Sequence, residues 1–236
     1  MGSEMSDVAE SRSTSSSVED YLKAVWELAG GAGDAASTKG VATRLSISAA
    51  SVSNMFGRLQ EMGLVEYERY RGASLTELGR SEALRLVRRH RLIETFLLEH
   101  LGYDWQEVHG EAERLEHAVS DGFTERLAEF LGHPERDPHG DPIPTTEGAL
   151  AVDDSSPLRE SEPGAWVRIY KVSDESTGAL DYLGERGLVP GRLLHVEEIR
   201  DLDGVVTVRD EDGGTYALGE PLALSVFVRD EPRQRF

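Results

Sequence analysis

The stretch TKGVATRLSISAASVSNMFGRLQEMGLVEYERYRGASLT, residues 38–76, decides the fold. Thr38 to Leu45 reads as a short helix, followed by the turn Ser46-Ile47-Ser48. A second helix then carries Val52, Met55, Phe56, Leu59 and Met62 at helical spacing and is stopped by Gly63. Leu64 to Glu68 and Ala73 to Thr76 alternate on either side of Tyr70-Arg71-Gly72, which predicts a β-hairpin with a basic, glycine-containing tip. Helix, three-residue turn, helix and hairpin together describe a winged helix-turn-helix.

The start of the second helix suits close approach to a duplex. Ser48, Ser51 and Ser53 can donate to phosphates, Ala50 can touch a thymine methyl, and Asn54 can read a base edge. Arg58 and Arg71 stand where backbone contacts would form. A serine-rich helix start is also what capping alone produces. One hydroxyl suffices for a cap, however, and three occur between Ser48 and Ser53.

Charge supports the same reading locally. The 236-residue chain carries a net charge of −19, which repels phosphate overall. Residues 38–91 nevertheless hold ten Lys/Arg against five Asp/Glu, so this segment is +5 and the remainder −24. A solvated basic helix face would give the same local excess. There is no cysteine, which excludes disulfides and thiolate metal sites and accords with a cytoplasmic setting. No apolar run approaches the roughly 20 residues of a membrane span, and no signal segment opens the chain.

Outward from the decisive stretch, residues 1–16 read as a disordered leader. A helix follows from Ser17 through Val18, Tyr21, Leu22, Val25 and Leu28. Long helical patterns occupy about 77–101 and 105–131. Residues 133–164 contain six of the nine prolines and read as a connecting segment. Beyond about 165 the pattern is short strands: Trp166–Tyr170, Leu193–Glu197, Val205–Val208 and Ala223–Val228, with a short helix near 175–186. These suggest a small β-barrel. The expected fold class is α+β, mainly α. Its expected parts are a winged helix-turn-helix at 17–76, a helical domain at 77–144, a linker at 145–164 and a barrel at 165–236.

Metal-binding side chains concentrate between His90 and His117. His90 and Glu94 are four apart, hence on one helix face. Glu113, Glu116 and His117 follow i, i+3, i+4, with His109 one turn earlier, and Asp20 adds a carboxylate from the first helix. Each has a plain alternative: Asp20 could close a capping box with Ser17, His90 could be surface charge, and Glu116-His117 could be a solvated pair. Crowded carboxylates and imidazoles, though, repel or take up protons unless a cation sits among them. Four carboxylates balance two divalent ions.

With these residues in view, the chain resembles the diphtheria-toxin-repressor family of metal-dependent regulators, especially its manganese-sensing branch. The likeness rests on Val18-Glu-Asp-Tyr-Leu22, Arg88-Arg-His-Arg-Leu-Ile-Glu94, VHGEAERLEHAVSD from Val108 to Asp121, and Asp137-Pro-His-Gly-Asp-Pro-Ile-Pro144. It runs from about Val18 to Pro144 and more weakly to about Val228. The resemblance implies a homodimer that represses metal-uptake genes by binding a pseudo-palindromic double-stranded operator, with an SH3-like barrel at the C-terminus. It places a primary site on Asp20, Glu113, Glu116 and His117, and an ancillary site on His90, Glu94 and His109. Iron-sensing relatives carry Met and Cys at the positions of Asp20 and Glu113; oxygen ligands at both suit Mn²⁺. About two divalent ions per chain are implied, Mn²⁺ or alternatively Fe²⁺. Barrel side chains complete the ancillary site in some relatives, and Asp174 and Glu175 are the candidates, Lys171 standing near a relative's Glu ligand. His133 and His139 read as structural or surface residues.

Two rival functions remain at this point. A metalloenzyme could use a carboxylate–histidine centre, but the spacing differs from the repeated Glu-x-x-His pairs of di-metal bundles, and no His-Glu-x-x-His, phosphate loop or nucleophile elbow occurs. A winged-helix regulator could also answer to an organic ligand; manganese retained at stoichiometric level after dialysis would count against that.

Overall fold

A computed structural model describes residues 15–30, 34–173 and 178–231. The chain forms two compact units, residues 1–86 and 87–236, and the division falls within one long helix. Asp174 and Glu175 lie outside the described residues.

In the first unit, α1 (Ser16–Leu28), α2 (Thr38–Arg44) and α3 (Ala49–Glu61) precede a hairpin of β1 (Val65–Glu68) and β2 (Gly72–Leu75). Apolar residues at helical spacing meet in one core: Val18, Leu22 and Val25 of α1, Val41 of α2, and Val52, Phe56 and Leu59 of α3. Burying each such side chain contributes about 1.5–3 kcal/mol, before conformational entropy is set against it. Ser37 caps α2 by accepting from the Gly40 N–H, and Ser48 caps α3 by accepting from the Ser51 N–H. The helix-turn-helix therefore has a hydroxyl cap at the start of both helices.

The hairpin is antiparallel, with Val65 opposite Leu75 and Glu68 opposite Gly72. Tyr70 at its tip has φ +72° and is 90% exposed. Gly72 has φ +108°, and a Cβ there would stand 2.1 Å from the Ala36 carbonyl oxygen. Only glycine lets the hairpin close against that chain. At α1 the N-cap is Ser15 rather than Ser17, so Asp20 is not the third helical residue that a Ser17 capping box requires.

The second unit begins in α4 (Glu77–Leu101), whose Leu92, Ile93 and Leu97 pack with α5 (Val108–Leu115), α6 (Asp121–Phe130) and Ile143. The single helix expected over 105–131 is two helices. Ser120 adopts an extended backbone, and its hydroxyl accepts from the Phe123 N–H, starting α6 afresh after the turn at 116–119. Glu116 accordingly ends α5, its N–H still bonded to the Ala112 carbonyl, and His117 lies in the turn just beyond.

The barrel sheet contains β3 (Ser156–Pro157), β4 (Trp166–Val172), β5 (Leu193–Ile199), β6 (Val206–Asp210), β7 (Thr215–Leu218) and β8 (Val226–Asp230). Its strand order is β3-β8-β4-β5-β6-β7, all antiparallel. Two sequence expectations change here. Ser156 to Glu160, read as linker, belongs to the barrel: β3 pairs with β8, and Leu158 is fully buried in the barrel core. Ala223–Ser225, read as strand, ends a short helix (Glu220–Ser225) that Gly219 caps and Pro221 opens.

Candidate metal centre and DNA-facing helix

On α4, the one-turn spacing of His90 and Glu94 sets both side chains on the inner face, 4% and 2% exposed. The arginines beside them face protein as well. Arg88 makes a two-pronged bond to Glu125 at 3.0 and 2.9 Å and also donates to the Pro144 carbonyl. Arg89 donates to the Glu116 carbonyl at 2.8 Å and to Asp121 at 3.1 Å, fixing the turn between α5 and α6. The alternative of His90 as surface charge fails because its helix face is the packed one.

His109, from the first turn of α5, completes a compact group. His90 Nε2 is 2.9 Å from Glu94 Oε1 and 3.2 Å from His109 Nδ1, and His109 Nδ1 is 3.1 Å from Glu94 Oε1. The other ring nitrogen of His90, Nδ1, hydrogen-bonds Glu116 Oε2. Glu116 is 2% exposed, and its Oε1 lies 3.6 Å from His117 Nε2. Glu113 is 46% exposed and 3.5 Å from His109 Nε2, on the outer side of that ring. Among the described residues Glu113 joins no compact ligand group. Asp20 is half-buried on α1, in the first unit.

Burial pushes the Glu94 carboxyl upward, but the charge of His90 and the hydrogen bonds from His109, His139 and His90 outweigh it and hold Glu94 well below the usual range. It stays an anion in a buried place. Asp137 shows the reverse: burial, then Glu94 and Asp141, push it up to about 7 against the pull of Arg91 and His139. Sequence reasoning missed these two neighbours. His139 is 2% exposed, so it is no surface residue, and Asp137, His139 and Glu94 form a second compact group. Their sequence signal was the stretch Asp137 to Pro144, which carries part of the family likeness but falls in a segment read as a connection. Lys171 is engaged elsewhere, 3.0 Å from Asp153 and 3.7 Å from Asp141.

The donors of His90, Glu94 and His109 fall within 4.8 Å of one another and comprise two imidazoles and an ionised carboxylate. Such a set fits a divalent cation that accepts oxygen and nitrogen. On α3, Ala50, Ser51, Asn54 and Arg58 are exposed, while Ser53 is half-buried. The Ser48 hydroxyl is committed in part to its cap and to Ser51 Oγ at 2.9 Å. Arg71 at the hairpin tip is exposed and pairs with Glu68 at 3.0 Å, a contact too solvated to hold it from a phosphate.

Three family models match. Residues 13–73 match the N-terminal DNA binding domain of iron dependent repressors, residues 76–145 their metal binding and dimerisation domain, and residues 156–230 the FeoA domain. The chain is 37% identical over 224 residues to the diphtheria toxin repressor of Corynebacterium diphtheriae, covering 90% of this chain and 96% of that one. It is 34% identical over 169 residues to the iron-dependent repressor IdeR of Mycobacterium tuberculosis strain H37Rv, covering 66% and 74%. Among solved structures, a manganese-dependent transcriptional repressor in complex with manganese is 40% identical, with TM-score 0.84 over 91% of this chain and 100% of that one. ScaR with bound Zn²⁺ is 34% identical, with TM-score 0.76 over 90% and 98%.

Proposed function

We propose, from the premise that the chain belongs to the iron-dependent repressor family of metal-dependent, DNA-binding transcriptional repressors, that Mn²⁺ is the ion that switches on its operator binding. The observation that carries the reading is the His90–Glu94–His109 group, in which His90 and Glu94 are buried, built from nitrogen and oxygen donors in a chain without cysteine. The 40% identical manganese-dependent repressor supports the same ion. Because the family consists of repressors and not of enzymes, a catalytic role for this centre is set aside.

The ligand assignment we propose keeps His90, Glu94 and His109 as the ancillary site and Asp20, Glu113, Glu116 and His117 as the primary site, with about two divalent ions per chain. The primary set rests on the sequence resemblance. Asp174 and Glu175 are proposed as additional ancillary ligands on the same basis. A bound divalent ion supplies the positive charge that offsets the gathered carboxylates. Asp20 stands on the helix that leads into the DNA-binding motif, so a ligand set that includes it links ion occupancy to the placement of α3. Asn54 and Ala50 then read base edges, while Ser51, Ser53, Arg58 and Arg71 hold the backbone. A homodimer presents two such helices to half-sites of a pseudo-palindromic operator, one helical turn or a multiple of it apart. Genes for metal uptake are the proposed targets.

Operator-fragment binding with Mn²⁺, Fe²⁺ or Zn²⁺, under anaerobic conditions for iron, tests the reading. Manganese should tighten binding most at equal free concentration. Equal affinity with and without metal would sink it. A stronger response to Fe²⁺ would favour the iron-responsive reading that the identity to IdeR supports.

A further inference from the structure

The hairpin of the first unit ends in Arg69-Tyr70-Arg71, three exposed residues in a row. Tyr70 is the unusual one. Its φ of +72° is a left-handed conformation that bulky side chains rarely adopt, and at 90% exposure almost none of its ring is packed. Asparagine or glycine would hold the same turn with less strain. The Arg71 N–H closes the turn on the Glu68 carbonyl at 3.0 Å, so the backbone sets this conformation without help from the ring. The Arg69 guanidinium lies 5.1 Å from the ring centroid and keeps a positive charge beside it. Below the tip, the hairpin is tied to the helices at two points. The Tyr67 N–H donates to Gln60 Oε1, near the end of α3, at 3.1 Å. Ala36, just ahead of α2, exchanges backbone hydrogen bonds with Ala73 at 2.8 and 3.0 Å. The tip therefore keeps a fixed place relative to the exposed face of α3.

We propose that Tyr70 is a specificity-determining residue that enters the minor groove beside the major groove occupied by α3. Its ring packs against the sugar edges there and reads groove width at base pairs beyond the reach of Asn54. A minor groove about 6 Å wide excludes a helix but admits a flat ring. Runs of A·T narrow that groove and deepen its negative potential. Both sugar walls then close on the ring, and the Arg69 charge that rides with it is favoured. Base identity enters only as A·T against G·C, because the guanine amino group stands on the groove floor. An outlying backbone conformation with no use inside the protein acquires one here: it holds an aromatic ring rigidly outward from the hairpin.

The inference rests on α3 being the recognition helix, and the experiment separates the two ideas. Wild type, Tyr70→Asn, Tyr70→Phe and Asn54→Ala, all full chains loaded with MnCl₂, are titrated with a duplex that the wild type selects from a random pool. The pairs flanking each half-site are then made A·T, G·C or 2,6-diaminopurine·T. Diaminopurine adds an amino group to the minor-groove edge and leaves the major-groove edge as adenine's. Wild type should prefer A·T flanks over both others by about 5- to 10-fold, near the lower end of what one base pair is worth. Tyr70→Phe should keep that preference. Tyr70→Asn should lose it, with a melting temperature at or above that of wild type. An unchanged flank preference in Tyr70→Asn, or equal loss in the Phe and Asn variants, would overturn the inference. A lower melting temperature in Tyr70→Asn would make the ring a support of the hairpin and overturn it too. Wild type that tolerates diaminopurine like adenine would place the tip outside the minor groove. Asn54→Ala without effect on half-site preference would sink the reading of α3 and this inference with it. An effect of Asn54→Ala beside an unaltered Tyr70→Asn would sink this inference alone.

Discussion

His90 Nδ1 hydrogen-bonds Glu116 Oε2, joining residues that the sequence resemblance assigns to different metal sites. The same ring turns its Nε2 to Glu94 and His109. One imidazole therefore spans both ligand sets, and the sites share a structural member.

Coupling between the sites is the first expected consequence. His90→Ala and Glu116→Ala should each disturb both manganese-binding events, and the double variant should lose less than the sum. Contacting residues typically couple by about 0.5–3 kcal/mol. Calorimetric titration of the three variants and wild type closes the cycle. Additive losses would mean that the two sites operate independently.

The second expectation concerns the DNA-facing helix. Asn54 is exposed on α3 and offers a paired donor and acceptor, so Asn54→Ala should relax preference at one base position per half-site, by about 1–3 kcal/mol. Arg71→Ala should weaken every sequence alike and lower the salt slope by about 1. Binding to a panel of operator variants at several salt concentrations reads both. If neither change alters affinity for the preferred operator, α3 is not the recognition helix.

Much of this architecture was legible in the sequence because periodicity reports burial. The winged helix read correctly from Val52, Phe56 and Leu59 at helical spacing and from a hairpin whose tip carries Gly72. His90 and Glu94 were legible because one-turn spacing holds within an unbroken helix. The break after α5 was not legible, because the apolar pattern runs through it while the stop signal is one capping serine, Ser120. Strand β7 escaped notice: four residues at the sheet's edge give too short an alternation. His139 was illegible for another reason. Prolines mark a loop but not its burial, and this loop is buried through Trp105 and β4.

Opposed carboxylates predict a pH response in the metal-free protein. Asp137 is raised from 3.8 to about 7, so the folded state keeps a proton that the unfolded chain has lost. Its contribution is fully present below the unfolded value and is lost as pH rises through about 7. Glu94, held below its ordinary value, acts oppositely, with stability present above that value and lost in acid. Asp137→Asn retains an oxygen for the His139 and Asp141 N–H bonds but cannot ionise. Melting temperatures at about pH 5 and about pH 8 should fall with rising pH in wild type and much less in the variant. Equal slopes would show that Asp137 is not the titrating group.

Metal choice is the sharpest expectation. Affinity for most divalent sites rises from Mn²⁺ through Fe²⁺ towards Cu²⁺, so a manganese sensor cannot select by tightness. Selection must come from a ligand set that the right ion completes in the activating arrangement. In the proposed primary set Asp20 and Glu113 supply oxygen, where the family resemblance implies sulfur in iron-sensing relatives. Glu113 is nearly half exposed beside His109, which leaves its side chain room to swing towards an ion. Zn²⁺, which favours fewer ligands in a tetrahedral array, should therefore bind wild type yet activate it poorly. Asp20→Met with Glu113→Cys should shift activation from Mn²⁺ towards Fe²⁺ and softer ions. Operator affinity measured against free metal concentration, anaerobically for iron, gives the order of activation for each protein. An unchanged order in the double variant would show that selectivity resides elsewhere, in the His90–Glu94–His109 group or in the barrel domain.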